Sequence, residues 1–204
     1  MFNPYANVCV LHDKSSQSPL IRRRLLLDYL NAVRSIDSRV MWMGRDLGYR
    51  GGRRTGVALT DDVHLPELGK RYGVQAPLRS TNGPAVAERT ATEIWSVLRC
   101  ISAPPMLWNV FPFHPYDEGD QQSNRKFSAA EFAVAKDINT ELIRLLKIEK
   151  IVAIGRDAAG YAGKLGVEVE LVRHPSYGGV ADFREGMSRI HGLQSLDRQG
   201  KLSI

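Results

Sequence analysis

Apolar positions along the chain gather into short runs separated by amphipathic stretches, and this alternation predicts strands that alternate with helices. Val40 to Met43, Met106 to Trp108, Ile151 to Ile154 and Val167 to Val172 read as short strands, the last of them buried. Helical spacing runs from about Ile21 to Val33, Ala85 to Leu98, Ala129 to Leu146, Ala158 to Leu165 and Val180 to Ile190. The third of these is the clearest. Ser128 and Glu131 form an S-x-x-E capping box, and Phe132, Ala135, Ile138, Leu142 and Leu145 repeat as its core stripe. Asn82-Gly83-Pro84 announces the second helix, with proline near its first turn. Strands alternating with helices favour an α/β fold, with a mainly parallel sheet covered on both faces.

Each predicted strand ends in a polar or glycine-containing turn. In open α/β sheets, ligands bind at the carboxyl ends of the strands. Three such ends carry chemistry here: Gly44-Arg45-Asp46, Trp108-Asn109, and Arg173-His174-Pro175-Ser176-Tyr177-Gly178-Gly179. They bring a carboxylate, an amide and an imidazole to one edge. Two long connections, from Arg45 to about Gly83 and from Val110 to Phe127, leave from those ends, and connections of that length are usually functional or locally structured. Gly155-Arg156-Asp157 repeats the first tripeptide, a reminder that Gly-Arg-Asp also serves as an ordinary turn and helix cap.

Composition narrows the partners. The 204 residues suit one domain spanning 1–204, and 43% hydrophobic with 25% charged residues is ordinary for a globular chain. A net charge of +6 and a pI of about 9.5 are compatible with a polyanion, nucleic acid first. Cys9 and Cys100 are the two cysteines, too few for a cysteine-built zinc or iron–sulfur site. They are expected to be buried thiols, and neither metal nor cofactor is expected. No apolar run reaches membrane-spanning length and no signal pattern opens the sequence, so a cytoplasmic location is expected. The glycine-rich stretch from Gly44 to Gly56 lacks both phosphate-loop patterns, although its arginines could meet phosphates.

The order G-R-D-x-G-Y-R-G-G-R-x-T-G, W-N-x-F-P-F-H-P and R-H-P-S-Y-G-G, from about Val40 to Gly192, resembles the uracil-DNA glycosylase superfamily. The resemblance is to a cysteine-poor branch without an iron–sulfur cluster. It implies a three-layer α/β/α sandwich around a short, mainly parallel four-stranded sheet. It also implies hydrolysis of the N-glycosidic bond of uracil in DNA by a cofactor-free monomer. Asp46 matches the water-activating aspartate of the family's G-Q-D-P-Y-H motif, Asn109 the asparagine that reads uracil, and His174 the histidine of H-P-S that supports the departing base. Gly44, Arg45 and Gly48 fall in the uracil-binding stretch. Ser176, Tyr177, Gly178, Arg53 and Arg54 are the implied DNA contacts. Cytosine would leave buried groups unpaired at such a site, at about 1–3 kcal/mol each.

Three departures matter. Leu47-Gly48 stands where the family has Pro-Tyr, and that tyrosine blocks the thymine methyl, a task then open to Tyr49 or another group. Thr55 to Thr60 replaces T-G-x-P-F-T, so Leu59 stands in for the stacking phenylalanine, with Phe111 as a candidate to compensate. Tyr177 occupies the place of a leucine-bearing intercalation loop and is read as the wedge or stacking group. The alternatives are a glycosylase for hypoxanthine or mismatched thymine, and a low-turnover protein gripping uracil or abasic sites.

Overall fold

A computed structural model describes residues 1–193. The N-terminal segment leads into α1 (Ser18–Ile36), followed by β1 (Val40–Asp46), the single turn α2 (Gly52–Thr55), α3 (Leu65–Tyr72) and α4 (Arg89–Leu98). Then come β2 (Met106–Phe111), α5 (Ala129–Leu146), β3 (Lys150–Ile154), α6 (Arg156–Ala162), β4 (Glu168–Val172) and α7 (Val180–His191). The four strands form one sheet in the order β2-β1-β3-β4, every neighbouring pair parallel. All four carboxyl ends therefore point the same way.

Two tryptophans show how the sheet is covered. Trp108 donates its Nε1–H to Asn139 on α5 at 2.7 Å, whereas Trp42 packs against His191 at the end of α7. Register pairs Trp108 with Met43, so Trp42 points to the opposite face. Helices α5 and α6 line one face; α7, backed by α4, lies on the other. This is the expected α/β/α sandwich. Both faces being covered explains why β1, β2 and β3 read as continuous apolar runs rather than alternating ones.

Several local expectations are corrected. β4 is an edge strand, with Val172 alone of its five residues fully buried. The buried stripe of α5 is Phe132, Ala135, Asn139, Ile143 and Leu146, while Ile138 and Leu145 face solvent. Cys9 is buried but Cys100 only half so. Helix α4 begins at Arg89, five residues past Pro84, because two aspartates hold the preceding strap extended. Asp62 accepts from Val86 N–H at 3.4 Å and Asp61 from Glu88 N–H at 2.7 Å. The long connection after Arg45 is locally structured: Leu65, Leu68 and Tyr72 of α3 are buried at helical spacing.

The first seventeen residues are tied down by Arg22, a fully buried residue of α1. Its guanidinium forms a double ion pair with Asp13 at 2.6 and 3.0 Å and donates to the carbonyls of Pro4 and Asn7. Among the described residues no helix is long and apolar enough to cross a membrane.

Candidate active site

A cavity of about 730 Å³ opens at the carboxyl edge of the sheet and joins the polar ends of β1, β2 and β4. Gly44, Arg45, Asp46, Gly48, Leu59, Asn109, His174, Ser176 and Tyr177 all line it, so most residues singled out from sequence converge. Register explains the first contact, since Gly44 pairs with Asn109 across β1 and β2. A Cβ at Gly44 would overlap Asn109 Oδ1 and stand 3.0 Å from Leu59 Cδ2. Glycine there lets the amide and the leucine share one wall. Leu59 reaches it from a left-handed backbone, φ 55°, which is rare for leucine.

Asn109 is buried, and among the described residues its Oδ1 has no hydrogen-bond partner. A buried acceptor left unmatched costs about 1–3 kcal/mol. A ligand donor in the cavity would remove that penalty.

Asp46 is buried at its side chain, 6% exposed, and accepts from Arg45 Nε at 2.5 Å. Burial raises its pKa above its ordinary value, and the Arg45 guanidinium offsets only part of that rise. Arg45 also reaches Asp157 at 3.4 Å.

His174 has its protonation state written in its contacts. The backbone N–H of Ser176 donates to His174 Nδ1 at 3.1 Å, so that nitrogen carries no proton and the ring hydrogen sits on Nε2. Burial, then Arg45 and Arg173, lower its pKa, in agreement with a neutral ring. Gly155 (φ 93°) lets the β3 end pass 3.2 Å from the His174 Cβ, measured to where a side chain would begin. Tyr177, two residues before the buried Gly179, is held out at 96% exposure with φ 52°.

Three sequence expectations fail on burial. Arg53 is 1% exposed: it donates to His114 Nδ1 at 2.8 Å and Gln121 Oε1 at 2.9 Å, and lies 3.9 Å over the Phe2 ring. Arg54 is buried in an ion pair with Asp62 at 2.8 Å. Neither arginine can reach a DNA phosphate; both hold the loop that frames the cavity. Phe111 packs between Phe113 and Phe127 in the core and offers no face to the cavity. Gly178 is exposed beside Tyr177 but outside the cavity lining.

Sequence reasoning missed Glu88, Asn124, Arg156, Asp157 and Arg173, which also line the cavity. Arg173 belonged to the R-H-P-S run and Asp157 to the repeated tripeptide, so both had a signal. Glu88 had none. Among the described residues no group of three or more His, Cys, Asp or Glu side chains is arranged to hold a metal ion.

No protein-family model and no curated protein matches the chain. Among solved structures, wild-type SMUG2 of Pedobacter heparinus is similar, with a TM-score of 0.55 over 76% of this chain and 74% of that one, at 16% identity. The chain shares the fold of that protein, a parallel four-stranded sheet between helical layers. In this fold the cavity lies at the strand ends where the three motifs were expected.

Proposed function

We propose that the cavity receives a uracil flipped out of DNA and that the protein hydrolyses its N-glycosidic bond, leaving an abasic site. The observation that carries this reading is the orphaned Oδ1 of Asn109, buried in the same cavity as a neutral His174 and a buried Asp46. Uracil N3–H is the donor that Oδ1 lacks, and the Asn109 amide N–H can donate to O4. The His174 Nε2–H can donate to O2, where charge develops as the base departs as an anion. A neutral donor suits this step, because no proton need be transferred.

Asp46 acts on the other fragment. Its carboxylate is poorly hydrated, so a cationic, oxocarbenium-like sugar beside it is strongly stabilised, and the same oxygens orient the attacking water. Glycosylases reach their base by extruding it from the stack. Tyr177, projecting from the rim, serves as the wedge, with Ser176 and Gly178 bringing backbone near the phosphodiester. The exposed Arg156 and Arg173 take the phosphate role that Arg53 and Arg54 cannot.

The test is a uracil-bearing oligonucleotide incubated with the protein and cleaved by alkali at abasic product. Absence of product with wild type, or undiminished product with Asp46→Asn, would sink the mechanism. Gly48 and Leu59 favour a second reading, a glycosylase that accepts thymine or hypoxanthine, since neither residue supplies an aromatic wall. A panel of mismatched and deaminated bases in one duplex decides between them. A low-turnover binder would instead hold the DNA stoichiometrically and release no free base.

A further inference from the structure

The proposed chemistry leaves Glu88 without a task, although it lines the same cavity as Asp46, Asn109 and His174. Its carboxyl lies over the turn after β1. Oε1 stands 3.1 Å from where a Cβ on Gly48 would be, and Oε2 would overlap one on Gly51. Two glycines thus make room for it. Its backbone is fixed too: Glu88 N–H donates to Asp61 at 2.7 Å, and Asp61 is braced by the backbone and ring of His64 at 2.9 and 2.7 Å.

The charges acting on this carboxyl are acidic, Asp61 from the segment after α2 and Asp46 from β1. The basic groups around those two are engaged, Arg45 with Asp46, Arg54 with Asp62 and His64 with Asp61. Arg89, next in the chain, is exposed, and Arg156 and Arg173 stand at the β3 and β4 ends of the cavity. Burial, then the Asp61 and Asp46 charges, push Glu88 up to about 7. Below that pH it is a neutral acid with an O–H to donate.

In the pose described above, Asn109 meets N3–H and one lone pair of O4, and His174 meets O2. The second lone pair of O4, on the C5 side of the ring, has no partner among them. Resting on the reading of this cavity as a uracil site, we propose that the neutral Glu88 carboxyl donates a hydrogen bond to that lone pair and so selects 4-oxo pyrimidines. Negative charge on the departing base spreads over O2 and O4, and each oxygen then has its own donor. Cytosine would set an amino N–H against the carboxyl O–H, and the carboxyl would have to turn its carbonyl oxygen to that group to accept from it. Ionised Glu88 would face O4 as one acceptor against another.

The pH profile of kcat/KM for uracil release, in wild type and Glu88→Gln, tests this. Glutamine keeps a donor and does not titrate. Wild type is expected to lose about tenfold per pH unit above about 7, and Glu88→Gln to stay level to about pH 9. Glu88→Leu is expected to lose at least about tenfold in preference for uracil over cytosine. An alkaline limb that persists in Glu88→Gln, or a wild-type profile without one near 7, overturns the assignment.

Carboxyl-carbon NMR of the glutamate-labelled protein at pH 6 adds a readout independent of turnover. The Glu88 signal, identified by its loss in Glu88→Gln, is expected to shift with free uracil, together with the Asn109 amide signal. A Glu88 signal that stays still while Asn109 moves overturns this assignment alone. Wild type that releases no uracil at any pH, yet shifts both signals, counts against the reaction alone. If neither signal moves, both readings fall.

Discussion

Gly44-Arg45-Asp46 and Gly155-Arg156-Asp157 are the same tripeptide at the ends of two neighbouring strands, yet their acids live in different surroundings. β1 continues through Asp46 because β2 pairs with it as far as Phe111. β3 stops at Ile154, and Gly155, at φ 93° and ψ 155°, turns the chain directly into α6. The outcome is one carboxyl at 6% exposure and another at 45%. Burial raises the pKa of Asp46; Lys126, followed by Arg45, lowers that of Asp157. What makes one tripeptide a candidate catalyst and the other a helix opening is the strand alongside, not the tripeptide.

The most forceful way to break that comparison is to neutralise each acid. Asp46→Asn is expected to cut uracil release by about 10²–10⁴-fold, the usual reach of a positioned general base. Asp157→Asn should stay within about threefold, since its charge lies at a solvated rim. Equal losses in a single-turnover assay would mean that the two ends act alike. The raised pKa of Asp46 also predicts that activity falls on acidification sooner than for an ordinary carboxylate, because protonation removes the charge that the sugar cation needs.

A second prediction concerns the carboxyl that crowds the Asp46 end alone. Glu88 titrates near 7 when folded and near 4.5 when unfolded, so the folded chain binds an extra proton between those values. Stability therefore declines as pH rises through that window, and the loss is complete above about 7. Glu88→Gln should remove the decline, and be the more stable protein at pH 8 by up to about 3 kcal/mol, with the advantage fading by about pH 5. Urea melts at the two pH values check it.

Smaller effects sharpen the contrast between the glycines. Gly155→Ala forces a side chain into a backbone region that suits glycine and should cost about 1–3 kcal/mol in Tm-derived stability. Gly44 has no such backbone, and alanine there would collide with the Asn109 amide, so the change should register in uracil binding more than in unfolding. Least of all, Lys126→Ala removes an exposed pair with Asp157 at 2.8 Å and should change stability by no more than about 0.5 kcal/mol.

The legible parts of the sequence were those where local pattern and burial agree. Strands buried on both faces announce themselves as apolar runs, and the capping box placed the start of α5. The three motif segments did meet in one cavity. Edge strand β4 misled because its apolar residues sit beside no further strand. Arg53 and Arg54 misled because a charged side chain in a glycine-rich loop looks solvated until its partners are known: His114 and Gln121 come to Arg53 from a distant segment, and Asp62 meets Arg54 only after the chain folds back over eight residues. Glu88 was invisible for the same reason. Its environment is made by Asp61, Asp46 and two glycines, and no spacing near residue 88 encodes them.

Arg22 gives the N-terminal segment a consequence for anyone who shortens this chain. A deletion of the first seventeen residues would leave α1 intact as a helix but remove Asp13 and the carbonyls of Pro4 and Asn7. The guanidinium would keep the Ser80 hydroxyl, at 3.2 Å, as a surviving partner. Asp13→Ala, which takes the anion away while the segment still covers the guanidinium, is expected to cost about 3–5 kcal/mol, a large part of what holds a domain of this size together. Ser80 Oγ also donates to the Arg54 carbonyl at 2.8 Å, so the disturbance would pass straight into the loop framing the cavity. The irregular head of the chain is thus a keystone: without periodicity of its own, it fixes the frame of the cavity from outside.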